Sequence, residues 1–148
     1  MDQTLVRELM STNVISIERQ LKITQALEIM RAEGIRRLPV ISRIGRLEGI
    51  ITLNDVRIAL PKGATALGEP VYGSMVEETP LVGEVMADYV QTISPDKSVA
   101  DAAKMMAIHK ISGLPVVLDR KVIGIITESD VFRFVAEQYK VKKTLVAA

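Results

Sequence analysis

Gly49-Ile50-Ile51-Thr52-Leu53-Asn54-Asp55-Val56 returns as Gly124-Ile125-Ile126-Thr127-Glu128-Ser129-Asp130-Val131, 75 residues further on. Upstream of it, Ile35-Arg36-Arg37-Leu38-Pro39-Val40 is matched by Ile111-Ser112-Gly113-Leu114-Pro115-Val116 at a shift of 76. At that same shift Val6-Arg7-Glu8-Leu9-Met10 is matched by Val82-Gly83-Glu84-Val85-Met86. Three blocks in one order, with one residue missing from the second copy, define an internal repeat. A repeat of this kind decides the fold before any single element does.

Each copy reads alike. A short helix ends near Met10 or Met86, and an extended stretch follows at Val14 to Ile17 or Val90 to Ile93. Ile23, Ala26, Leu27 and Met30 then lie at i, i+3, i+4 and i+7, one face of a helix. Val99, Ala102, Ala103 and Met106 repeat that face. Ser98 with Asp101 reads as a capping box, whereas Lys22 stands at the Ser98 position and leaves the first cap undefined. Strands are expected at Leu38 to Ile41 and Leu47 to Ile51, joined by the polar loop 42–46. Their counterparts are Leu114 to Leu118 and Val122 to Ile126 around Asp119-Arg120-Lys121. A last helix begins after Thr52 or Thr127; the first of these stops by Leu60, because Pro61 cannot continue it.

The expected order per copy is strand, helix, strand, strand, helix, an α+β arrangement. A half of about 60 residues is too small to bury its own sheet. Two halves packed sheet to sheet about a pseudo-twofold axis would solve that. The expected organisation is residues 1–60, a linker 61–80 holding three of the six prolines and three of the nine glycines, and residues 81–148.

Composition narrows the function classes. Of 148 residues, 48% are apolar and 25% charged, which is globular rather than disordered. Nineteen basic against 18 acidic residues give a net charge of +1, which argues against nucleic acid and against a polybasic membrane surface. There is no cysteine and one histidine, which excludes thiol chemistry, disulfides and clustered histidine ligands. No apolar run approaches the roughly 20 residues of a membrane span, and Met1-Asp2-Gln3 does not open like a signal peptide. The expectation is a soluble cytoplasmic protein. No phosphate-binding glycine loop, metal-ligand cluster or nucleophile–base arrangement is present, so no enzyme activity and no metal site are expected. His109, near a helix end, Met30 and Met105-Met106, and the basic tail of Lys140, Lys142 and Lys143 read as structural or solvated residues.

The twice-repeated Leu-Pro-Val and Gly-Ile-Ile-Thr-x-x-Asp resemble a pair of cystathionine β-synthase (CBS) motifs, the Bateman module, over Leu5 to about Tyr139. The resemblance implies a stand-alone regulatory module that binds AMP, ADP or ATP, with Mg²⁺ as an optional companion and no obligatory cofactor. S-adenosylmethionine is the alternative ligand, and a structural dimerisation module without ligand the alternative role. It also implies a homodimer of such pairs, with no nucleic-acid or membrane partner. The regulated protein is not indicated.

In the family, the aspartate of one motif works with the opening strand and the segment before Leu-Pro of the other. That implies two clefts. The stronger joins Thr127, Ser129 and Asp130 to Thr12, Val14, Ile35, Arg36, Arg37 and Pro39. The weaker joins Thr52 and Asp55 to Val90, Ile93, Ile111, Ser112, Gly113 and Pro115, and Asn54 departs there from the usual small hydroxyl. The two carboxylate oxygens of Asp130 match two vicinal ribose hydroxyls. Thr127-x-x-Asp130 is equally a plain capping box. Arg36 and Arg37 offer guanidinium forks for phosphate. Arg36 also stands where it can lean into the second cleft, and both arginines can instead be solvated surface.

Overall fold

The computed structural model describes residues 3–60 and 79–147. The elements run α1 (Val6–Leu9), α2 (Ile23–Glu33), β1 (Arg37–Ile41), β2 (Leu47–Thr52), α3 (Leu53–Ala59), α4 (Val82–Val85), α5 (Val99–His109), β3 (Gly113–Leu118), β4 (Lys121–Thr127) and α6 (Glu128–Ala147). The mixed helix and strand class and the two small sheets agree with expectation. Apart from Thr79 and Pro80, the expected linker lies outside the described residues.

Both hairpins are antiparallel and share one register. Arg37 pairs with Thr52 and Val40 with Gly49 in the first; Gly113 pairs with Thr127 and Val116 with Gly124 in the second. Each has a bulge just after the Leu-Pro-Val motif, at Val40/Ile41 and Val116/Val117. The second loop is tighter than expected. Lys121 belongs to β4, and Asp119 and Arg120 alone make the turn, both at positive φ (51° and 66°), as two-residue hairpin turns with the twist of the strands require.

The opening extended stretches are not full strands. Each makes a single parallel bridge, Ile17 to Val40 and Ile93 to Val116. The Leu-Pro-Val motif explains why. Ile17 N–H donates to the Pro39 carbonyl (3.1 Å), and Ile41 N–H donates back to Ile17 (3.0 Å). The next rung of a parallel ladder would need an N–H at Pro39, which proline lacks. Pro115 stops the second ladder in the same way after the bonds Ile93 N–H to Pro115 (3.1 Å) and Val117 N–H to Ile93 (2.9 Å).

The chain forms two compact units that do not follow the repeat boundaries. One is Ile15–Val90; the other joins Met1–Val14 to Gln91–Ala148. The opening helix of each repeat therefore covers the sheet of the other repeat. In the 15–90 unit, Val82, Val85 and Met86 of the α4 segment pack with Ile23, Ala26, Met30, Leu38, Val40, Ile51 and Val56. In the other unit, Val6, Leu9 and Met10 pack with Ala102, Met106, Leu114, Val116 and Ile126. Val6 and Val82 are both fully buried, each worth about 1.5–3 kcal/mol of apolar burial. Backbone bonds fix the exchange. Val82 N–H donates to Leu21 (2.7 Å) and Gly83 N–H to Arg19 (2.9 Å); Val6 N–H donates to Lys97 (2.8 Å) and Arg7 N–H to Pro95 (3.1 Å). An Arg7–Asp96 ion pair adds to the second set.

The glycine of Gly-Ile-Ile-Thr marks where the exchanged segment crosses β2 or β4. A Cβ on Gly49 would lie 2.6 Å from Met86 Sδ and 2.7 Å from the Ala87 carbonyl oxygen. On Gly124 it would lie 2.6 Å from Met10 Sδ and 2.9 Å from the Ser11 carbonyl. Ile50 and Ala87 exchange two backbone hydrogen bonds across this crossing (3.1 and 2.9 Å), and so do Ser11 and Ile125 (both 2.9 Å).

The helix starts behave as their sequences require. Ser98 N–H donates to Asp101 Oδ2 (3.2 Å) and Asp101 N–H to Ser98 Oγ (3.0 Å), a complete capping box. The Ser98 backbone N–H, then its hydroxyl, hold the Asp101 carboxyl below its usual range, with Lys97 and Lys104 adding to the effect against a small opposing desolvation. At the first copy's cap, Lys22 N–H donates to Gln25 Oε1 (2.9 Å), so glutamine supplies half of the box that lysine cannot complete.

Candidate functional site

Each expected cleft takes residues from both units, and each unit presents its own share of them. In the 15–90 unit the hairpin register sets the geometry. Arg37 pairs with Thr52, and the Arg36 carbonyl accepts the Leu53 N–H at 2.8 Å. The start of β1 is thereby held against the first turn of α3. Asn54 and Arg57, three residues apart on α3, project from neighbouring positions of one helix face. The result is a cleft of about 320 Å³ lined by Arg36, Arg37, Thr52, Leu53, Asn54 and Arg57. An apolar recess of about 110 Å³ lies beside it, lined by Leu27, Met30, Arg31, Ile35, Leu53 and Arg57. Leu53 and Arg57 belong to both, so a cationic cleft and an apolar recess adjoin. Arg36 and Arg37 thus meet Thr52 and Asn54 within one unit, the direction in which Arg36 was expected to be able to lean.

The Thr-x-x-Asp segments are helix caps in both units. Thr52 N–H donates to Asp55 Oδ2 (2.9 Å), and Asp55 N–H donates to Thr52 Oγ1 (3.2 Å). Thr127 N–H and Oγ1 donate to Asp130 Oδ2 (2.9 and 3.1 Å), while Asp130 N–H lies 3.4 Å from Thr127 Oγ1. Asp130 thus fills the capping-box role expected of it, with Oδ2 engaged at the helix start. Its Oδ1 faces Arg133 Nη1 at 3.4 Å, a long contact with the arginine two-thirds exposed and therefore a weak one. Asp55 and Asp130 are both half-buried. Among the described residues Asp55 Oδ1 has no partner, and Asp130 Oδ1 has only the long Arg133 contact.

The other expected residues divide by exposure. Thr12, Arg36 and Ser129 are exposed, and Val14, Ile35, Arg37, Val90, Ile111, Ser112 and Thr127 are partly so. Pro39, Gly113 and Pro115 are buried. The two prolines also end the parallel pairing of the opening stretches. Ile93 is also buried. It lines a recess in its own unit with Thr92, Lys97, Lys104 and Met105.

The two units differ where the arginines stand. Aligned on the repeat, Ser112 and Gly113 replace Arg36 and Arg37, Glu128 replaces Leu53, and Phe132 replaces Arg57. The Ser112 carbonyl accepts the Glu128 N–H at 3.0 Å, so the scaffold is the same and the charge is not. Arg57 escaped the sequence reading because it is not repeated. Its position two residues after Asp55, in the first turns of an already expected helix, was the available signal.

No group of three or more potential metal-ligating side chains occurs among the described residues, and no helix there is long and apolar enough to cross a membrane.

Comparison with known proteins agrees with this architecture. A CBS domain-containing protein of Dictyostelium discoideum is 35% identical over 132 residues, covering 86% of this chain and 88% of that protein. The chain spans 34% of an uncharacterized Methanocaldococcus jannaschii protein, to which it is 32% identical, and 25% of a Methanosphaerula palustris homoserine O-acetyltransferase, also at 32%. Among solved structures, the CBS domain pair of protein MJ0100 in complex with 5′-methylthioadenosine and S-adenosyl-L-methionine is 31% identical. It has a TM-score of 0.73 over 93% of this chain and 99% of that one. CBSX2 in complex with AMP is 27% identical, with a TM-score of 0.75 over 93% and 98% of the two chains. The CBS domain model matches at residues 6–62 and again at 82–137. The chain belongs to the CBS domain family and carries two copies of that domain.

Proposed function

We propose that the chain is a regulatory module that binds adenosine-containing ligands, the adenine nucleotides AMP, ADP and ATP first among them, without transforming them. The carrying observation is the pair of Thr-x-x-Asp caps. In each, Oδ2 of a half-buried carboxylate holds the helix start; Asp55 Oδ1 has no partner among the described residues, and Asp130 Oδ1 has only the long Arg133 contact, so either can accept a ribose hydroxyl. The AMP complex of CBSX2 supports the nucleotide reading. The S-adenosylmethionine complex of the more similar MJ0100 pair supports that ligand as the second reading. To regulate, the ligand must bind two states of the module with different affinity. The proposed form is a cytoplasmic homodimer. Phe132, Val135 and Tyr139, exposed by 66%, 57% and 68%, form an uncovered apolar stripe on α6 that a second copy would cover.

The test is thermal unfolding of nucleotide-stripped protein with AMP, ADP, ATP and S-adenosylmethionine. A ligand at 100 times its Kd adds about 2.7 kcal/mol, roughly 5–10 °C for a chain of this size. Asp55→Ala and Asp130→Ala should each weaken the site they serve by about ten- to 150-fold in calorimetric titration. They should also lower Tm in the absence of ligand through loss of a cap worth about 1 kcal/mol. No shift with any adenosine ligand would leave the structural dimerisation reading in place.

A further inference from the structure

Three guanidinium groups line the 320 Å³ cleft of the 15–90 unit, and no carboxylate does. The remaining polar lining is a threonine hydroxyl and an asparagine amide, both able to donate. Among the described residues, neither Arg36 nor Arg57 has an ion-pair partner. Arg7, Arg19, Arg43 and Arg133 each face a carboxylate, while Arg31, Arg46 and Arg120, like Arg36 and Arg57, have no ion pair among the described residues. Arg57 also lines the adjoining recess with Arg31 and the apolar Leu27, Met30, Ile35 and Leu53, so its charge sits between that recess and the cationic cleft. The matching position in the other repeat is Phe132, with Glu128 nearby at the helix start.

We infer that Arg57, with Arg36 and Arg37, makes the cleft of the 15–90 unit selective for phosphorylated ligands and against the sulfonium of S-adenosylmethionine, and that the 1–14/91–148 unit lacks this selection. The inference rests on the adenosine reading for the ligand's other half, but its charge preference stands on the arginines alone. Guanidinium groups bind phosphate oxygens through paired, charge-assisted hydrogen bonds. The same three positive charges repel a ligand whose reacting centre is a cation. Arg57 stands on α3, and Thr52, which caps that helix with Asp55, lines the same cleft.

Titration calorimetry with AMP, 5′-methylthioadenosine, S-adenosylmethionine and inorganic tripolyphosphate tests this on wild type, Arg57→Gln, Arg57→Lys and Arg36→Gln. Wild type should bind AMP at least tenfold tighter than the uncharged thioether at one site per chain. Arg57→Gln should weaken AMP and tripolyphosphate there by about ten- to a hundredfold, leave the thioether within twofold, and leave Tm unchanged because the side chain is exposed. Arg57→Lys, which keeps the charge but loses the fork, should fall between. Adenosine ligands that bind wild type and Arg57→Gln equally would overturn the arginine assignment and leave the proposed function standing. Tripolyphosphate binding lost in Arg57→Gln, with no adenosine ligand bound by any variant, would retain the assignment and overturn the adenosine reading.

Discussion

Gly49→Ala should destabilise the protein far more than one added methyl group suggests. The new Cβ would lie 2.7 Å from the Ala87 carbonyl oxygen and 2.6 Å from Met86 Sδ, where ordinary contact begins at 3.4 Å. Met86 is 9% exposed and belongs to the core, so its side chain cannot swing away without leaving a void. Ala87 cannot retreat without stretching its two backbone bonds to Ile50, now 3.1 and 2.9 Å. Overpacking of this kind costs about 1–3 kcal/mol, and each strained hydrogen bond up to about 1 kcal/mol. The total is about 1–5 kcal/mol, or roughly 3–15 °C in Tm for a chain of this size. The control is Gly34→Ala, where a Cβ meets nothing within 4 Å and only the positive φ of 66° is penalised, at about 1–2 kcal/mol. Circular dichroism melts of the two variants and wild type give the comparison. A Gly49→Ala Tm within about 2 °C of wild type, or one above that of Gly34→Ala, would refute the close crossing of the α4 segment over β2.

Two further outcomes follow from the same packing. Asp101 titrates below its usual range because Ser98 hydrogen-bonds its charged form, so the group adds stability above the ordinary carboxylate pKa and loses it as the pH falls through the lowered folded value. Melts stepped from pH 6 down to about pH 3 should therefore show a shallower acid loss in Ser98→Ala than in wild type; parallel curves would deny the cap this role. A fragment of residues 15–90 keeps α4 with the core it covers and should show a cooperative melt. A fragment of residues 1–60, a complete repeat by sequence, lacks Val82 and Met86 over that core and should not. A cooperative melt of 1–60 would mean that the exchange of helices is dispensable.

The elements legible in the sequence are those whose cause is local. The hairpins were legible because β-rich runs flank short polar loops. The helix faces were legible because Ile23, Ala26 and Met30 recur at helical spacing and are buried. The caps were legible because Ser98–Asp101 and Thr52–Asp55 act within four residues. The exchange of opening helices was not legible. Val6, Leu9 and Met10 present the same shapes at the same spacing as Val82, Val85 and Met86, so nothing local says which sheet either one covers. The missing rungs of the opening strands were legible in principle, since Pro39 and Pro115 lack the N–H, but only once the bond directions of the ladder were known.

The site divides in the same way, and the division bears on how such a chain evolves a preference. Matching the copies finds what they share, namely the cap, the strand register and the carboxylate with one oxygen left over. That shared scaffold suits any ribose and so selects no ligand. Selection must come from positions where the copies differ, among them Arg36, Arg37 and Arg57 against Ser112, Gly113 and Phe132. A reading led by the repeat passes over Arg57 for the very reason that makes it informative. Two units on one scaffold thus differ in charge at these positions, and under the proposed function that difference separates a phosphorylated ligand from an uncharged one.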